Sequence, residues 1–227
     1  MAIRYGTNAA DFLTGTNGTD FIYGRGGADR ITGLGGSDAI DGGSGDDRID
    51  AGDGDDAINA GDGNDDVRAG TGNDIVAAGR GNDIVRGGDG SDTLVGDNGD
   101  DRLFGDAGAD RLEGGAGVDA LLGGSGGDWL YGNSGDDRLD GGSGDDLLAG
   151  GGGRDVFIYR SGDDTVLDFN SGSDVIDLTS VAGLTDFDDV LDAASQDGRD
   201  VVIALAPGDL TLFRFDIDDL VAADFLV

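Results

Sequence analysis

An apolar side chain recurs every nine residues without insertion: Leu13, Ile22, Ile31, Ile40, Ile49, Ile58, Val67, Val76, Val85, Leu94, Leu103, Leu112, Leu121, Leu130, Leu139, Leu148, Phe157 and Val166. The apolar residue and its two neighbours predict a three-residue strand that sends one side chain inward and its neighbours outward. The six residues between strands are rich in Gly, which accepts positive φ and lets the chain turn. Two repeats make a coil of eighteen residues with a strand on each side. One such strand buries nothing alone, so the coils must stack into two parallel sheets enclosing a narrow aliphatic core. Eighteen repeats give nine coils, about 40 Å long at about 4.8 Å per stacked strand.

An aspartate precedes each apolar position by two residues: Asp11, Asp20, Asp29, Asp38, Asp47, Asp56, Asp65, Asp74, Asp83, Asp92, Asp101, Asp110, Asp119, Asp128, Asp137, Asp146, Asp155 and Asp164. Two residues before the aspartate stands Gly in seventeen of eighteen repeats, Ala9 being the exception. Consecutive turn carbonyls and a carboxylate form an oxygen-only donor set of flexible number, which suits Ca²⁺.

With U for the apolar residue, the unit G-[GAx]-x-G-x-D-x-U-x resembles the repeats-in-toxin (RTX) calcium-binding nonapeptide, over residues 6–167. The resemblance implies an all-β fold, a right-handed parallel β-roll or β-solenoid. It also implies calcium ions held between vertically adjacent turns, so that aspartates eighteen apart share one, Asp29 with Asp47 on one side and Asp38 with Asp56 on the other. Two columns of these aspartates give sixteen such pairs, hence up to about 16 Ca²⁺. Thr7, Ala9, Arg25 and Leu34 depart from the Gly pattern in the first turns.

Charge supports this picture. The formal net charge is −34, and 47 of 48 acidic residues are Asp, Glu113 being the other. Solvation does not distinguish the two carboxylates, whereas a tight turn folding its own carboxylate onto an ion favours the shorter. Sixteen Ca²⁺ bring the chain close to neutrality. Further carboxylates at Asp46, Asp55, Asp100, Asp136, Asp145 and Asp163, and at Asp53, Asp62 and Asp89, are expected to point to solvent.

All fourteen basic residues are Arg, and His and Cys are absent. Disulfides, thiolate metal sites, the usual zinc ligand and the usual general base are thereby excluded. The acidity opposes nucleic acid as a partner. The sequence contains neither a secretory h-region at its start nor eighteen consecutive apolar residues, so neither a Sec signal nor a membrane span is expected.

After Val166 the period fails and apolar residues rise. The expected division is a repeat roll, 1–167, and a small β-rich C-terminal cap with a secretion region, 168–227. Asp168–Leu178, Asp200–Leu205 and Leu210–Phe215 alternate as strands do, and Asp186–Ala194 is a candidate helix. The end, Asp224-Phe225-Leu226-Val227, resembles the uncleaved C-terminal signal of type I secretion substrates. Ahead of the first repeat stand five residues, too few for a cap, leaving Phe12 and Leu13 on an open edge for another molecule.

The expected function is that of a secreted, extracellular bacterial calcium-binding structural protein, not an enzyme. It folds on calcium binding, leaves through type I secretion machinery, and self-associates in a surface layer, filament or matrix. Two alternatives stand beside this: a folding and secretion module of a larger secreted enzyme, and an adhesin for cell-surface polysaccharide. Trp129 and Tyr131, on one outer face, are the adhesin's candidate stacking residues or a contact with the cap.

Overall fold

The computed structural model describes all 227 residues. Its strands form two sheets, one of thirteen strands and one of eleven, here the front and back sheets. Within the repeats, successive strands alternate between sheets and pair in parallel with the strand eighteen residues on: Phe21 with Ala39, Ala39 with Ala57 and Ala57 with Ile75 in front, Arg30 with Arg48 and Arg48 with Asp66 behind. The architecture is the expected all-β parallel β-roll.

The strands are longer than the three residues expected. Most span six, as in Phe21–Gly26, Ala57–Asp62 and Arg138–Ser143. The additional residues are the first half of the Gly-rich segment, which stays paired with the adjoining coil through a positive-φ residue such as Gly61, so the turn proper is confined to about three residues. Burial alternates along each strand, and a second inward position appears two residues after the apolar one. Here a small residue must fit. Ala occupies it at 51, 60, 69 and 78 and Gly at 24, 33, 42 and from 87 to 150, while Tyr159 fills it beside Phe157 where the repeats end. Ile22, Ile31, Ile49, Val67, Leu94 and Leu130 are all fully buried.

At the N-terminal end, Ile3–Tyr5 is itself a strand, paired in parallel with Phe21–Tyr23. It extends the front sheet by one strand ahead of the repeats, with Arg4 aligned to Ile22 in place of an apolar residue. Behind, Phe12–Thr14 is the edge strand; Phe12 is 84% exposed and Leu13 packs partly against the core.

The C-terminal segment uses different pairing. Gly208–Leu212 adds in parallel to Asp164–Val166 and then pairs antiparallel with Asp200–Leu205, which pairs antiparallel with Ala194–Asp197. The expected helix is present as Phe187–Ala193, N-capped by the Asp186 side chain. Of Asp168–Leu178 only Val175–Asp177 is a strand, and Phe225–Leu226 pairs beside it. The core continues unbroken from the roll into Val190, Val201, Ile203 and Phe225. Arg160 clasps Asp140 of the last full coils through both carboxylate oxygens, at 2.6–2.9 Å. No helix is long and apolar enough to cross a membrane.

Candidate metal centre

Every predicted aspartate falls into one of two columns. Asp20, Asp38, Asp56, Asp74, Asp92, Asp110, Asp128, Asp146 and Asp164 lead into front strands, and Asp11, Asp29, Asp47, Asp65, Asp83, Asp101, Asp119, Asp137 and Asp155 into back strands. Within a column each aspartate N–H donates to the Oδ1 of the aspartate eighteen residues later: Asp29 to Asp47 at 2.7 Å, Asp92 to Asp110 at 2.8 Å, Asp146 to Asp164 at 3.0 Å. All sixteen pairs form this bond. From Asp20 to Asp164 the ladder is at most 3% exposed.

The second carboxylate oxygen distinguishes the turns. In fourteen consecutive ladder aspartates, Asp29 to Asp146, Oδ2 is buried with no hydrogen-bond partner. An orphaned buried carboxylate oxygen costs several kcal/mol unless a cation meets it. Its surroundings are oxygen. A Cβ added to Gly132 would collide with Asp137 Oδ2 and lie 2.7 Å from the Gly150 carbonyl oxygen of the next coil. Carbonyls of the turn also aim along the roll, that of Gly43 toward Gly61 and that of Gly27 toward Gly45. Nowhere do three His, Cys, Asp or Glu side chains gather into a metal-holding group, so a cation here must draw many of its donors from the main chain. Carboxylate plus carbonyl oxygen fits Ca²⁺, which when bound supplies the positive charge these oxygens lack.

At both ends the second oxygen is already engaged. Thr7 donates its N–H and hydroxyl to Asp11 Oδ2, and Thr16 does the same for Asp20. The C-terminal counterpart is Asp174, which the nine-residue period does not reach. It accepts the Asp155 N–H at Oδ1 and the Asn170 N–H at Oδ2, extending the back column with a spacing of nineteen.

Burial pushes the Asp65 and Asp92 carboxyls up to about 7 from 3.8, with help from the carboxylates of adjoining coils and against the stabilising N–H of the preceding ladder aspartate. Asp20 goes the other way. Burial opposes its ionisation, yet hydrogen bonds from Thr16 and the Ala2 N–H, with the terminal ammonium nearby, hold its carboxyl below the usual value.

A second ladder lies outside the first. Asp46, Asp55, Asp100, Asp136, Asp145 and Asp163 are exposed, as expected, but each accepts a backbone N–H from the next coil of its column: Asn64 to Asp46, Asn73 to Asp55, Val118 to Asp100, Arg154 to Asp136, Asp163 to Asp145 and Asp209 to Asp163. Asn64, Asn73 and Asn82 continue the pattern. The sequence signal was the recurrence of Asp or Asn at this slot in nine of the eighteen repeats. Of the candidate stacking residues, Tyr131 lies under the Arg111 guanidinium at 4.6 Å and Trp129 is 52% exposed.

Two files of buried carboxylates, each bordered by main-chain carbonyls between stacked coils, define a solenoid whose turns are hard-cation sites. The chain belongs to the RTX calcium-binding nonapeptide repeat family, matching it at residues 5–40, 32–67, 60–94, 68–103, 95–130 and 131–166. RTX nonapeptide repeats bind calcium, and proteins built from them are typically secreted. Among solved structures the chain is similar to the extracellular lipase LipA from Serratia marcescens, with a TM-score of 0.48 and 20% identity, covering 93% of this chain and 40% of that one. It is also similar to the AlgE6R3 subunit of the Azotobacter vinelandii mannuronan C5-epimerase, with a TM-score of 0.31 and 23% identity, covering 62% of this chain and 80% of that one. The chain thus spans less than half the length of the lipase. No curated protein sequence matches it.

Proposed function

We propose that this chain is a secreted structural protein whose repeat roll, residues 1–167, folds when calcium fills its turns, with residues 168–227 acting as cap and secretion region. The observation that carries this reading is the run of fourteen buried, partnerless Oδ2 atoms from Asp29 to Asp146. Without cations, so many buried carboxylates and the ordering entropy of a Gly-rich chain outweigh a core only two side chains thick. With cations, the same oxygens become the cross-links between coils. Asp155 and Asp164 extend the ligand set, while the engaged oxygens of Asp11 and Asp20 leave those two turns without metal.

The roll performs no chemistry of its own in this reading. Its buried carboxylates are committed to the ladder, and the chain holds neither His, Cys nor Lys to serve as base or nucleophile. The C-terminal residues serve as a secretion signal only before folding. In the folded chain Asp224 is fully buried, accepting from Gly172 N–H and the Ser171 hydroxyl, and Phe225–Leu226 is paired in the back sheet. A cytosol poor in calcium keeps the chain unfolded, and a millimolar exterior folds it, matching the weak affinities of extracellular calcium sites.

Far-UV circular dichroism and light scattering after size exclusion test this directly. In EGTA the chain is expected to be expanded and without β signal; in millimolar calcium, compact and β-rich. A chain that keeps its β signal in EGTA refutes the proposal.

A further inference from the structure

The two outer faces of the roll differ in kind. At the first and third residues of its strands, from Phe21 to Thr165, the front face carries Asp41, Arg111 and Glu113 as its only charges, and the last two pair with each other. The same positions behind, from Phe12 to Ile158, hold Arg30, Arg48, Arg68, Arg86, Arg102 and Arg138 against Asp50, Asp66 and Asp140. A chain of net charge −34 thus gathers six of its fourteen arginines on one flat ribbon. Arg30 and Arg102 lie exposed with no carboxylate within 4.0 Å.

One edge of the roll has the opposite character. Where back strands turn into front strands, Asp53, Asp55, Asp89, Asp106, Asp145 and Asp163 are exposed and none pairs with an arginine. From Leu34 to Asp145 these turns contain no basic residue. Both rows advance with the stacking of coils, at about 4.8 Å per coil. Two parallel copies lying side by side in register therefore bring Arg48, Arg86, Arg102 and Arg138 of one level with Asp53, Asp89, Asp106 and Asp145 of the other.

We propose that the arginine face of the back sheet docks on the acidic turn edge of a second copy. This deepens the structural role proposed above and rests on the calcium-folded roll, since only stacked coils bring either row together. The contact is heterologous: face and edge are different surfaces, so each molecule keeps one of each free after pairing, and growth continues laterally unless rotation closes it. Individual exposed ion pairs are weak and screened by salt, so the row acts as a sum and dissolves at high ionic strength.

Two variants of the full chain test it in millimolar calcium. Arg30→Glu with Arg102→Glu reverses the two unpaired guanidiniums, and Asp53→Arg with Asp89→Arg reverses the edge. Circular dichroism with and without calcium first establishes that each folds as the parent does. Light scattering is then expected to show a parent mass that rises with concentration at low salt and returns to monomer at high salt. Each variant alone loses this rise, and mixing the two restores a one-to-one complex through the intact face of one and the intact edge of the other. A calcium-folded parent that stays monomeric at every concentration overturns the proposal while leaving calcium-dependent folding intact, as does a reversed variant that assembles like the parent. A monomeric parent that instead retains a soluble polyuronate or a heparin column assigns the arginine face to a foreign polyanion and also overturns it.

Discussion

Asp20 and Asp74 occupy the same slot of the same motif in the same column, yet their carboxylates meet opposite conditions. Asp20 Oδ2 receives the N–H and hydroxyl of Thr16, whereas Asp74 Oδ2, equally buried, receives nothing. The difference lies four residues upstream, where the end turns place Thr7 and Thr16 and the interior turn places Gly70 in a left-handed conformation at φ 125°. A threonine there folds its N–H and hydroxyl onto its own turn's carboxylate. A positive-φ glycine leaves the carboxylate facing the next coil. The end turns are closed by hydrogen bonds; the interior turns leave an oxygen free for the ion that the proposed function places there.

The strongest test of this contrast is to remove one carboxylate from each class. Asp74→Asn should lower the number of calcium ions bound, measured by isothermal titration or native mass spectrometry, and shift the folding midpoint to higher calcium by at least severalfold. Asp11→Asn should leave the ion count unchanged. Equal effects at both sites would erase the distinction between interior and end.

A smaller effect is expected from acid. Interior carboxyls such as Asp65 and Asp92 titrate near 7 in the folded calcium-free roll, against 3.8 for an ordinary Asp. Between these values the folded state binds more protons than the unfolded one, so stability falls as pH rises through the window and recovers as pH drops. In EGTA, lowering the pH from neutrality toward 4 should therefore restore part of the β signal by circular dichroism. Asp20, whose carboxyl is held low, contributes the opposite slope below the ordinary Asp range. Loss of residual structure on acidification would contradict the assignment of burial as the dominant cost.

The smallest effect concerns the backbone. Leu34 and Arg25 hold the slot of Gly70 at φ 85° and 77°, a conformation that disfavours any side chain. Leu34→Gly should stabilise the calcium-loaded chain by about 0.5–1 kcal/mol once the unfolded-state entropy of Gly is offset, read as a higher midpoint of thermal unfolding.

Much of this was legible in the nine-residue period. It located the large inward residue of each repeat from Leu13 to Val166 and every ladder aspartate from Asp11 to Asp164, because both must meet the same partner one coil away, but not the small inward residues such as Ala51 and Ala60. What it missed had other periods. The six-residue strands escaped because Gly, read as turn-forming, here takes positive φ while its coil stays in register with the next. Asp174 escaped because one inserted residue makes its spacing nineteen, although Gly172 stands two residues before it as the motif requires. The contrast between the faces is written every eighteen residues, so comparing all repeats together averages the arginines of one sheet with the alanines and isoleucines of the other. The strand Ile3–Tyr5 escaped because it places Arg4 where an apolar residue was the only signal sought.

That doubled period constrains how the gene can change length. Duplicating or deleting eighteen residues adds or removes one coil and returns every downstream side chain to its former sheet. A change of nine preserves the calcium motif and the core perfectly well, but transposes all that follows, so that arginines meant for one surface emerge on the other. Arrays of this kind should therefore grow and shrink in even numbers of repeats wherever a surface is under selection, and parity becomes a heritable property of the sequence that no single residue encodes.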